Sequence, residues 1–333
     1  MINLKNDYNT VGDKKILEEL IKYSDERYVG YGEDTKSKEL NSLVNNICNK
    51  DVDSYVLAGG TITNVIGLNQ MLKYSYEAVI TVQSSHINVH ETAALEATGH
   101  KIIYTPNILG KLDISKIEET YNNFTDNHMA MPKALYLANA TELGEVYTLA
   151  ELREISAICK KLGLYFFIDG ARLPQALASA GYSLADIAGL CDMFYLGGTK
   201  LGLPYGELLI IVNDELKANF KYLIKNKLGM LAKGFVGAIM FNAFLKDDYY
   251  LELANHSISM ANIIRDELKD YLIYPNTTNQ VFIKLDNNKY NNIKDKVACE
   301  IWESHNDYKV IRLVTAFNTK KEDVLEAIKI IKS

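Results

Sequence analysis

The feature that most constrains the fold is the regular alternation of short apolar runs with longer amphipathic segments. Seven runs have the length and apolar content of buried β-strands: residues 54–57, 78–82, 101–104, 134–138, 165–168, 193–196 and 207–212. Helical patterns lie between most of them, at residues 63–72, 89–97, 114–121, 149–162 and 173–178. This alternation predicts an α/β domain with a largely parallel sheet. Residues 207–212 are expected to form an antiparallel edge strand.

The chain has 333 residues, which is long enough to build two hydrophobic cores. We therefore divide it into three parts: an N-terminal arm with helices (1–50), a large α/β domain (51–236), and a linker helix with a small α+β domain (237–333). Long helices are expected at residues 215–231 and 237–266. In the small domain, the predicted strands are residues 279–285, 302–308 and 311–315, and the predicted closing helix is residues 321–331.

Composition excludes several classes of protein. Hydrophobic residues make up 48% and charged residues 23%, as in ordinary globular proteins. The net charge is −6 without a long basic block, which argues against a nucleic-acid partner. Neither an apolar stretch of transmembrane length nor a signal-peptide pattern is evident, so we expect no membrane partner and a cytoplasmic location. The four cysteines and six histidines form no metal-ligand motif.

Lys200 follows a strand-length apolar run, in the segment Met-Phe-Tyr-Leu-Gly-Gly-Thr-Lys-Leu-Gly that starts at Met193. Lysine is seldom buried, so a lysine in this setting needs an explanation. A desolvated amine with a lowered pKa can form a Schiff base. The segment therefore points to pyridoxal 5'-phosphate, whose aldehyde bonds to such an amine.

Asp169 ends another apolar run, Leu164-Tyr-Phe-Phe-Ile-Asp, and Arg172 follows three residues later. Pyridoxal phosphate needs an acid beside its pyridine nitrogen, because that acid keeps the ring protonated and electron-accepting. The interval to Lys200 fits one helix-and-loop unit between two strands of one sheet. A helix-capping aspartate and a surface lysine are the alternative, which either residue alone would favour.

Three further segments fit contacts with such a cofactor or its substrate. Gly60 and Thr61 lie between a strand and a helix, where backbone N–H groups hold phosphates. His86 follows a strand end, where it either stacks on a cofactor ring or is an ordinary loop residue. Arg312 opens an apolar strand, which suits either a substrate carboxylate or an internal salt bridge.

In these segments the chain resembles the threonine aldolase and β-eliminating lyase family of fold-type I pyridoxal phosphate enzymes. The resemblance runs through nearly the whole chain: Tyr31-Gly-Glu-Asp34, Gly60-Thr61 with Asn64, His86 with Glu91, Asp169-Gly-Ala-Arg172, Thr199-Lys200 with Gly202, and Arg312-Leu-Val-Thr315. It implies the fold-type I architecture, with a mostly parallel seven-stranded sheet in the large domain and a smaller C-terminal α+β domain.

The resemblance also implies roles for individual residues. Lys200 would be the Schiff-base lysine, Asp169 would pair with the pyridine nitrogen, and His86 would stack on the ring. These three would be the catalytic residues. Gly60 and Thr61 would hold the phosphate.

Other roles concern the cofactor's edge and the substrate. Thr199 would contact the cofactor, Arg172 would contact a cofactor oxygen or the substrate carboxylate, and Arg312 would clamp that carboxylate. Glu91 would belong to the substrate site. Lys233 stands where the family usually has an arginine that reaches a neighbouring subunit's phosphate, which implies a homodimer or homotetramer with shared active sites.

Two positions depart from the family pattern. Thr141, in Ala-Asn-Ala-Thr-Glu-Leu-Gly, replaces a histidine that lies near the substrate hydroxyl, and a hydroxyl is a much poorer base than imidazole. Asn6 stands in for a carboxylate-binding serine. Both are assigned to the substrate site, and Thr141 leads us to expect weak or atypical threonine cleavage.

The sequence thus predicts a pyridoxal phosphate-dependent lyase that cleaves the Cα–Cβ bond of a small L-β-hydroxy amino acid, giving glycine and an aldehyde. β-Elimination and transamination on another amino acid are the alternatives with the same cofactor. A nicotinamide oxidoreductase is disfavoured because the chain lacks the glycine fingerprint. A relative of the same fold that binds no cofactor is the remaining alternative.

Overall fold

The structure is a computed structural model that describes residues 1–333. Its strands are β1 (Ile2–Asn3), β2 (Asp53–Leu57), β3 (Glu77–Val82), β4 (Lys101–Thr105), β5 (Asn107–Ile108), β6 (Lys111–Leu112), β7 (Met131–Ala138), β8 (Tyr165–Asp169), β9 (Met193–Gly197), β10 (Glu207–Ile211), β11 (Gln280–Asp286), β12 (Val297–Ala298), β13 (Glu300–Ser304) and β14 (Tyr308–Val314). Its α-helices are α1 (Lys14–Lys22), α2 (Thr35–Cys48), α3 (Gly60–Met71), α4 (His86–Val89), α5 (Ile117–Asn122), α6 (Leu149–Leu162), α7 (Leu173–Ala180), α8 (Leu184–Ala188), α9 (Phe220–Asn226), α10 (Gly234–Leu245), α11 (Tyr249–Glu267), α12 (Asn287–Ile293) and α13 (Lys321–Lys332).

Seven strands form the main sheet, in the order β2-β10-β9-β8-β7-β3-β4. All neighbouring pairs are parallel except the two that involve β10. The prediction that residues 207–212 run antiparallel is therefore right, but the predicted edge position is wrong. Strand β2 pairs with β10 and forms the edge, so β10 is covered on both sides.

Both faces of the sheet are buried, because its strands carry apolar side chains in both directions. Along β9, Phe194 and Leu196 point into one apolar cluster, with residues of α2, α6 and α10. Met193 and Tyr195 point into the opposite cluster, with residues of α3 and α9. Burial on two faces explains why these strands read as continuous apolar runs.

A second sheet, in the order β11-β14-β13, is antiparallel and packs with α11 and α13 around a third apolar cluster. Strand β1 pairs in parallel with β12. Through this pair, the N-terminal residues that follow β1 are held near the C-terminal sheet. No helix in the molecule is both long and apolar enough to cross a membrane.

Four predicted elements differ from the structure. The helix expected at residues 89–97 does not form, because α4 already ends at Val89 and Thr92 and Ala93 take positive φ. The helix expected at residues 237–266 is two helices, α10 and α11, because Asp247 and Asp248 adopt left-handed conformations at φ 55°. The strand expected at residues 302–308 is instead a hairpin of β13 and β14. The helix expected at residues 215–231 shortens to α9, since Asn219 and Leu228 take positive φ on either side of it.

Candidate active site

The C-terminal ends of β8 and β9 lie side by side at one edge of the main sheet. Strand β8 ends at Asp169, and a 3-10 turn after β9 carries Lys200. The Gly197 N–H donates to the Gly170 carbonyl at 2.9 Å. A Cβ on Gly170 would lie 1.6 Å from the Tyr195 carbonyl oxygen, so only glycine permits this contact. The glycines after both strands thus bring the aspartate and lysine loops together.

A cavity of about 300 Å³ opens at this edge. Its wall contains seven of the residues predicted from sequence: Gly60, Thr61, His86, Asp169, Arg172, Thr199 and Lys200. Ligands of open α/β sheets bind at the carboxyl ends of strands, as this cavity would allow. Four chemically important side chains in its wall were missed by the sequence reasoning, namely those of Tyr8, Glu142, Tyr195 and Glu207.

Asp169 is buried and accepts four hydrogen bonds. The hydroxyls of Tyr195 and Tyr136 each donate at 2.5 Å, and Asn64 Nδ2 and the Ala171 N–H donate at 3.0 Å. Burial alone would raise the pKa of this carboxyl, but His86 and the phenol donors outweigh it and lower the pKa. The carboxylate is therefore ionised and fixed in position.

His86 is joined to Asp169 by a chain of polar contacts. Its Nδ1 lies 2.8 Å from Glu91 Oε1, and that oxygen also accepts from Asn64 Nδ2 at 2.7 Å. Burial opposes a charge on the imidazole, but the bond to Glu91, with Glu142 and Asp169, raises the pKa of His86. Glu91 thus supports His86 from behind and does not line the cavity itself.

Lys200 is partly buried and makes no side-chain hydrogen bond or ion pair. Burial is the main cause that lowers its pKa, and the neighbouring Arg172 lowers it further. A larger fraction of neutral amine follows, and the neutral amine is the nucleophilic form. The side chain therefore has the environment that its sequence context predicts.

Arg172 is committed to a partner within the protein. Its Nε and Nη2 donate to the two oxygens of Asp7 at 2.8 and 3.1 Å, and Asn279 Nδ2 also donates to Asp7 at 2.9 Å. Both Arg172 and Asp7 are buried. Much of the donor capacity of this arginine is thus already used.

Arg312 lies on β14, outside the cavity wall, and forms no ion pair within the protein. Its Nη1 donates to Gln280 Oε1 at 3.3 Å, its guanidinium lies 5.0 Å from the Trp302 ring, and its buried Nε has no partner. Burial lowers its pKa first, and Arg172 lowers it further, so two guanidiniums share one region. Arg312 makes no salt bridge, which leaves an N–H donor for an anionic ligand.

The remaining predicted residues lie outside the cavity wall. Asn6 caps its own turn by accepting from the Tyr8 N–H at 3.2 Å. Thr141 is buried beside a small neighbouring cavity, and its hydroxyl accepts from the Glu145 N–H at 3.1 Å. Lys233 is exposed at the start of α10. Their predicted roles stay predictions.

The predicted phosphate position is the start of α3. Gly60 is its first residue, Gly59 precedes it in an extended conformation, and Thr61 is exposed toward the cavity. The first backbone N–H groups of a helix have no partners within that helix. This end of the cavity is therefore suited to an anion.

A family model for beta-eliminating lyases matches residues 3–288. The chain belongs to the beta-eliminating lyase family. A low specificity L-threonine aldolase of Pseudomonas aeruginosa is 32% identical over 270 residues, which cover 77% of this chain and 76% of that protein. A low specificity L-threonine aldolase of Escherichia coli is 24% identical and covers 98% of this chain and 97% of its own.

A solved structure of Leishmania major threonine aldolase superposes on the structure of this protein with a TM-score of 0.97. The two sequences are 37% identical, and the match covers 100% of this chain and 99% of that one. These findings confirm the predicted family and the predicted fold-type I architecture, with its large, mostly parallel sheet and small antiparallel C-terminal sheet.

Proposed function

We propose that this protein is a pyridoxal phosphate-dependent lyase that cleaves the Cα–Cβ bond of threonine or a similar small L-β-hydroxy amino acid. The products are glycine and an aldehyde. The observation that carries the proposal is the pairing of Lys200 and Asp169 in one cavity wall. One is an amine without a protein partner, and the other is an aspartate held by four donors.

The residues of the cavity fit pyridoxal phosphate. Lys200 would bond to its aldehyde, Asp169 would face its pyridine nitrogen, and His86 would stack on its ring. Gly60 and Thr61, at the start of α3, would hold its phosphate, with Thr199 beside them. When bound, this cofactor supplies an electron sink for the pair released from a bond at Cα.

The protein's own groups would position the substrate. Arg312 offers an unpartnered N–H to the amino acid carboxylate, while the Arg172–Asp7 pair provides a fixed boundary of the site. The network Asp169–Asn64–Glu91–His86 keeps the groups around the ring in fixed orientations. Fixed groups of this kind reduce the reorganisation that a reaction requires.

The names of the relatives favour aldol cleavage over the two alternatives. The proteins from Pseudomonas aeruginosa and Escherichia coli and the Leishmania major structure all carry the name threonine aldolase. β-Elimination would release ammonia and a keto acid from the same substrates, and transamination would release a keto acid without free ammonia. The reaction is therefore identified by its products.

The test combines a spectrum with product analysis. The purified protein is expected to absorb as a yellow internal Schiff base, and borohydride should fix the cofactor to the peptide that contains Lys200. Threonine should give equimolar glycine and acetaldehyde. Ammonia with 2-oxobutanoate as the main products, or a colourless protein that gains no colour with added cofactor, would contradict the proposal.

We further propose a homodimer or homotetramer in which Lys233 contributes to a neighbouring subunit's phosphate site. Two observations support this: the side chain is exposed, and it lies outside its own subunit's cavity. Sedimentation should show an oligomer, and Lys233→Ala should weaken cofactor retention. A monomer that retains full activity would contradict this part of the proposal.

A further inference from the structure

Glu142 is a carboxylate in the active-site wall that nothing in the protein neutralises. It lies in the segment after β7 and lines the same cavity as Lys200, Asp169 and His86. Its side chain is partly exposed and takes part in no hydrogen bond or ion pair. Among the carboxylates near this cavity it is therefore the one with both oxygens free.

The surroundings of Glu142 are strongly cationic. Its charge acts on the pKa of His86, Arg172, Lys200 and Arg312. A carboxylate among four cationic groups commonly forms an ion pair, yet Glu142 reaches none of them within 4.0 Å. The group is thus near the reacting region and has no partner within the protein.

The other carboxylates are already engaged. Asp169 accepts four hydrogen bonds, and Asp7 is bound by Arg172 and Asn279. Glu91 is bound by His86 and Asn64, and Glu207 is buried and accepts from the Gly198 N–H at 3.1 Å. Each of these four carboxylates is thus held by at least one bond within the protein, and the unpartnered Oε2 of Glu91 is buried outside the cavity wall.

Thr141 does not supply an alternative base. Its hydroxyl is buried, already accepts a hydrogen bond, and faces the small neighbouring cavity. The next residue, Glu142, also borders that small cavity, but unlike Thr141 it lines the active-site cavity as well. The loop after β7 therefore presents a carboxylate to the site where the threonine itself is turned away.

We propose that Glu142 is the general base that removes the β-hydroxyl proton of the substrate, an inference that rests on the proposed aldol cleavage. The hydroxyl proton moves to a Glu142 oxygen as the Cα–Cβ bond breaks. The bond's electron pair stays with Cα, and Cβ leaves as the carbonyl carbon of the aldehyde. Addition of one proton to Cα then gives glycine, and no oxidant or reductant is consumed.

Glu142→Gln is the variant that tests the inference, because it keeps the shape of the side chain and removes the base. We expect threonine cleavage to fall about a hundred- to ten-thousand-fold, the usual contribution of a positioned base. Glu142→Asp, which keeps the carboxylate, should recover part of the loss. Glu145→Gln provides a matched control on the same loop outside the cavity wall, and it should retain the wild-type rate.

Two measurements separate a base from a structural support. Cofactor absorbance and its change on titration with glycine should be the same in Glu142→Gln and wild type. Exchange of a glycine α-proton with D₂O needs no β-hydroxyl, so it should change by less than about threefold in the variant while cleavage collapses. If exchange and glycine binding fall together with cleavage, the inference is overturned.

The remaining outcomes are distinct. A Glu142→Gln variant that cleaves threonine at the wild-type rate would overturn this inference alone. His86, whose Nε2 has no protein partner, would then be the next candidate for the base. A wild-type protein that binds the cofactor but releases no aldehyde from threonine, allo-threonine or phenylserine would overturn the proposed function, and the role of Glu142 with it.

Discussion

The two sides of the active-site cavity differ in how completely their charged groups are paired. On the inner side, which comprises Asp169, Asn64, Tyr136 and Tyr195, the carboxylate accepts a bond from each of the other three. The open side comprises Lys200 and Glu142 in the cavity wall and Arg312 on β14 outside that wall, and charged atoms of these side chains are left without partners. Leaving polar groups unpaired costs stability, so the contrast marks the open side as the part built for ligands.

This difference in pairing implies different chemical roles for the two sides of the cavity. A fully bonded carboxylate is held in one place, which suits a group that must stabilise charge without moving. A free amine or carboxylate can form a bond or accept a proton. Substitutions on each side should therefore have different signatures, and the following predictions are ordered by the size of the expected effect.

The largest effect is expected for Lys200→Ala. Removing the amine should reduce turnover by about 10⁵-fold or more, as loss of a covalent nucleophile does, while the protein stays folded. Steady-state kinetics measures the loss of turnover, and circular dichroism shows whether the variant stays folded. Lys217→Ala is a suitable control, because Lys217 is also partly buried but is paired with Asp214 at 2.6 Å. Residual turnover near the wild-type rate would show that Lys200 is not the reacting amine.

Asp169→Asn tests the inner side of the cavity. The change keeps the size of the side chain and removes its charge, so we expect turnover to fall by about 10²- to 10³-fold, with a shifted cofactor spectrum. Tyr195→Phe removes one of the four donors and should cost much less, about tenfold. A normal rate and a normal spectrum in Asp169→Asn would mean that the aspartate serves only as a local cap for the Ala171 N–H.

How much of this site could be predicted from the sequence depends on how local each feature is. Asp169 and Lys200 could be found because each follows a strand-length apolar run and has glycines beside it. The whole pattern lies within about ten consecutive residues. The order of the parallel strands then places both at one edge. The antiparallel direction of β10 was also predictable, whereas its interior position depends on pairing with β2 across the whole domain.

Features that join distant segments could not be predicted in this way. The Arg172–Asp7 pair spans 165 residues, and Asn64 meets Asp169 across 105 residues. Glu142 is adjacent to Thr141 in sequence, but only the loop conformation shows which of the two faces the cavity. Thr141 stands where the family has a histidine, and the carboxylate of Glu142 directly beside it was a signal that the sequence reasoning missed. The predicted domain boundaries stay predictions.

Glu207→Gln tests whether a buried acid beside the paired inner side destabilises the fold. Burial raises the pKa of Glu207 to about 7 from an ordinary 4.5. The folded state therefore favours the protonated form of Glu207. The contribution of Glu207 to the free energy of unfolding is complete below pH 4.5 and is lost as pH rises through 7. The difference is on the order of 3 kcal/mol.

The measurement is the free energy of urea unfolding for wild type and Glu207→Gln between pH 4.5 and pH 8. We expect the variant to gain stability relative to wild type as pH rises, with no further gain above pH 8. Parallel curves for the two proteins would contradict a buried, protonated Glu207. Asp186→Asn, at a partly exposed capping position on α8 where hydrogen bonds from Ser183 lower the carboxyl pKa, serves as a carboxyl-to-amide control that should gain no stability as pH rises.

A smaller effect than that of Asp169→Asn is expected for Arg312→Lys, which tests the open side of the cavity. Guanidinium binds a carboxylate through two parallel N–H bonds, whereas an ammonium offers a point charge. Loss of one charge-assisted bond, about 2 kcal/mol, should raise KM for threonine by roughly thirtyfold with a much smaller change in kcat. The same substitution should leave thermal stability nearly unchanged, because Arg312 has no ion pair in the protein to lose, whereas Arg172→Lys would disturb the buried bond to Asp7. A large loss of stability in Arg312→Lys, with KM unaltered, would place Arg312 among the paired structural groups and remove it from the open side.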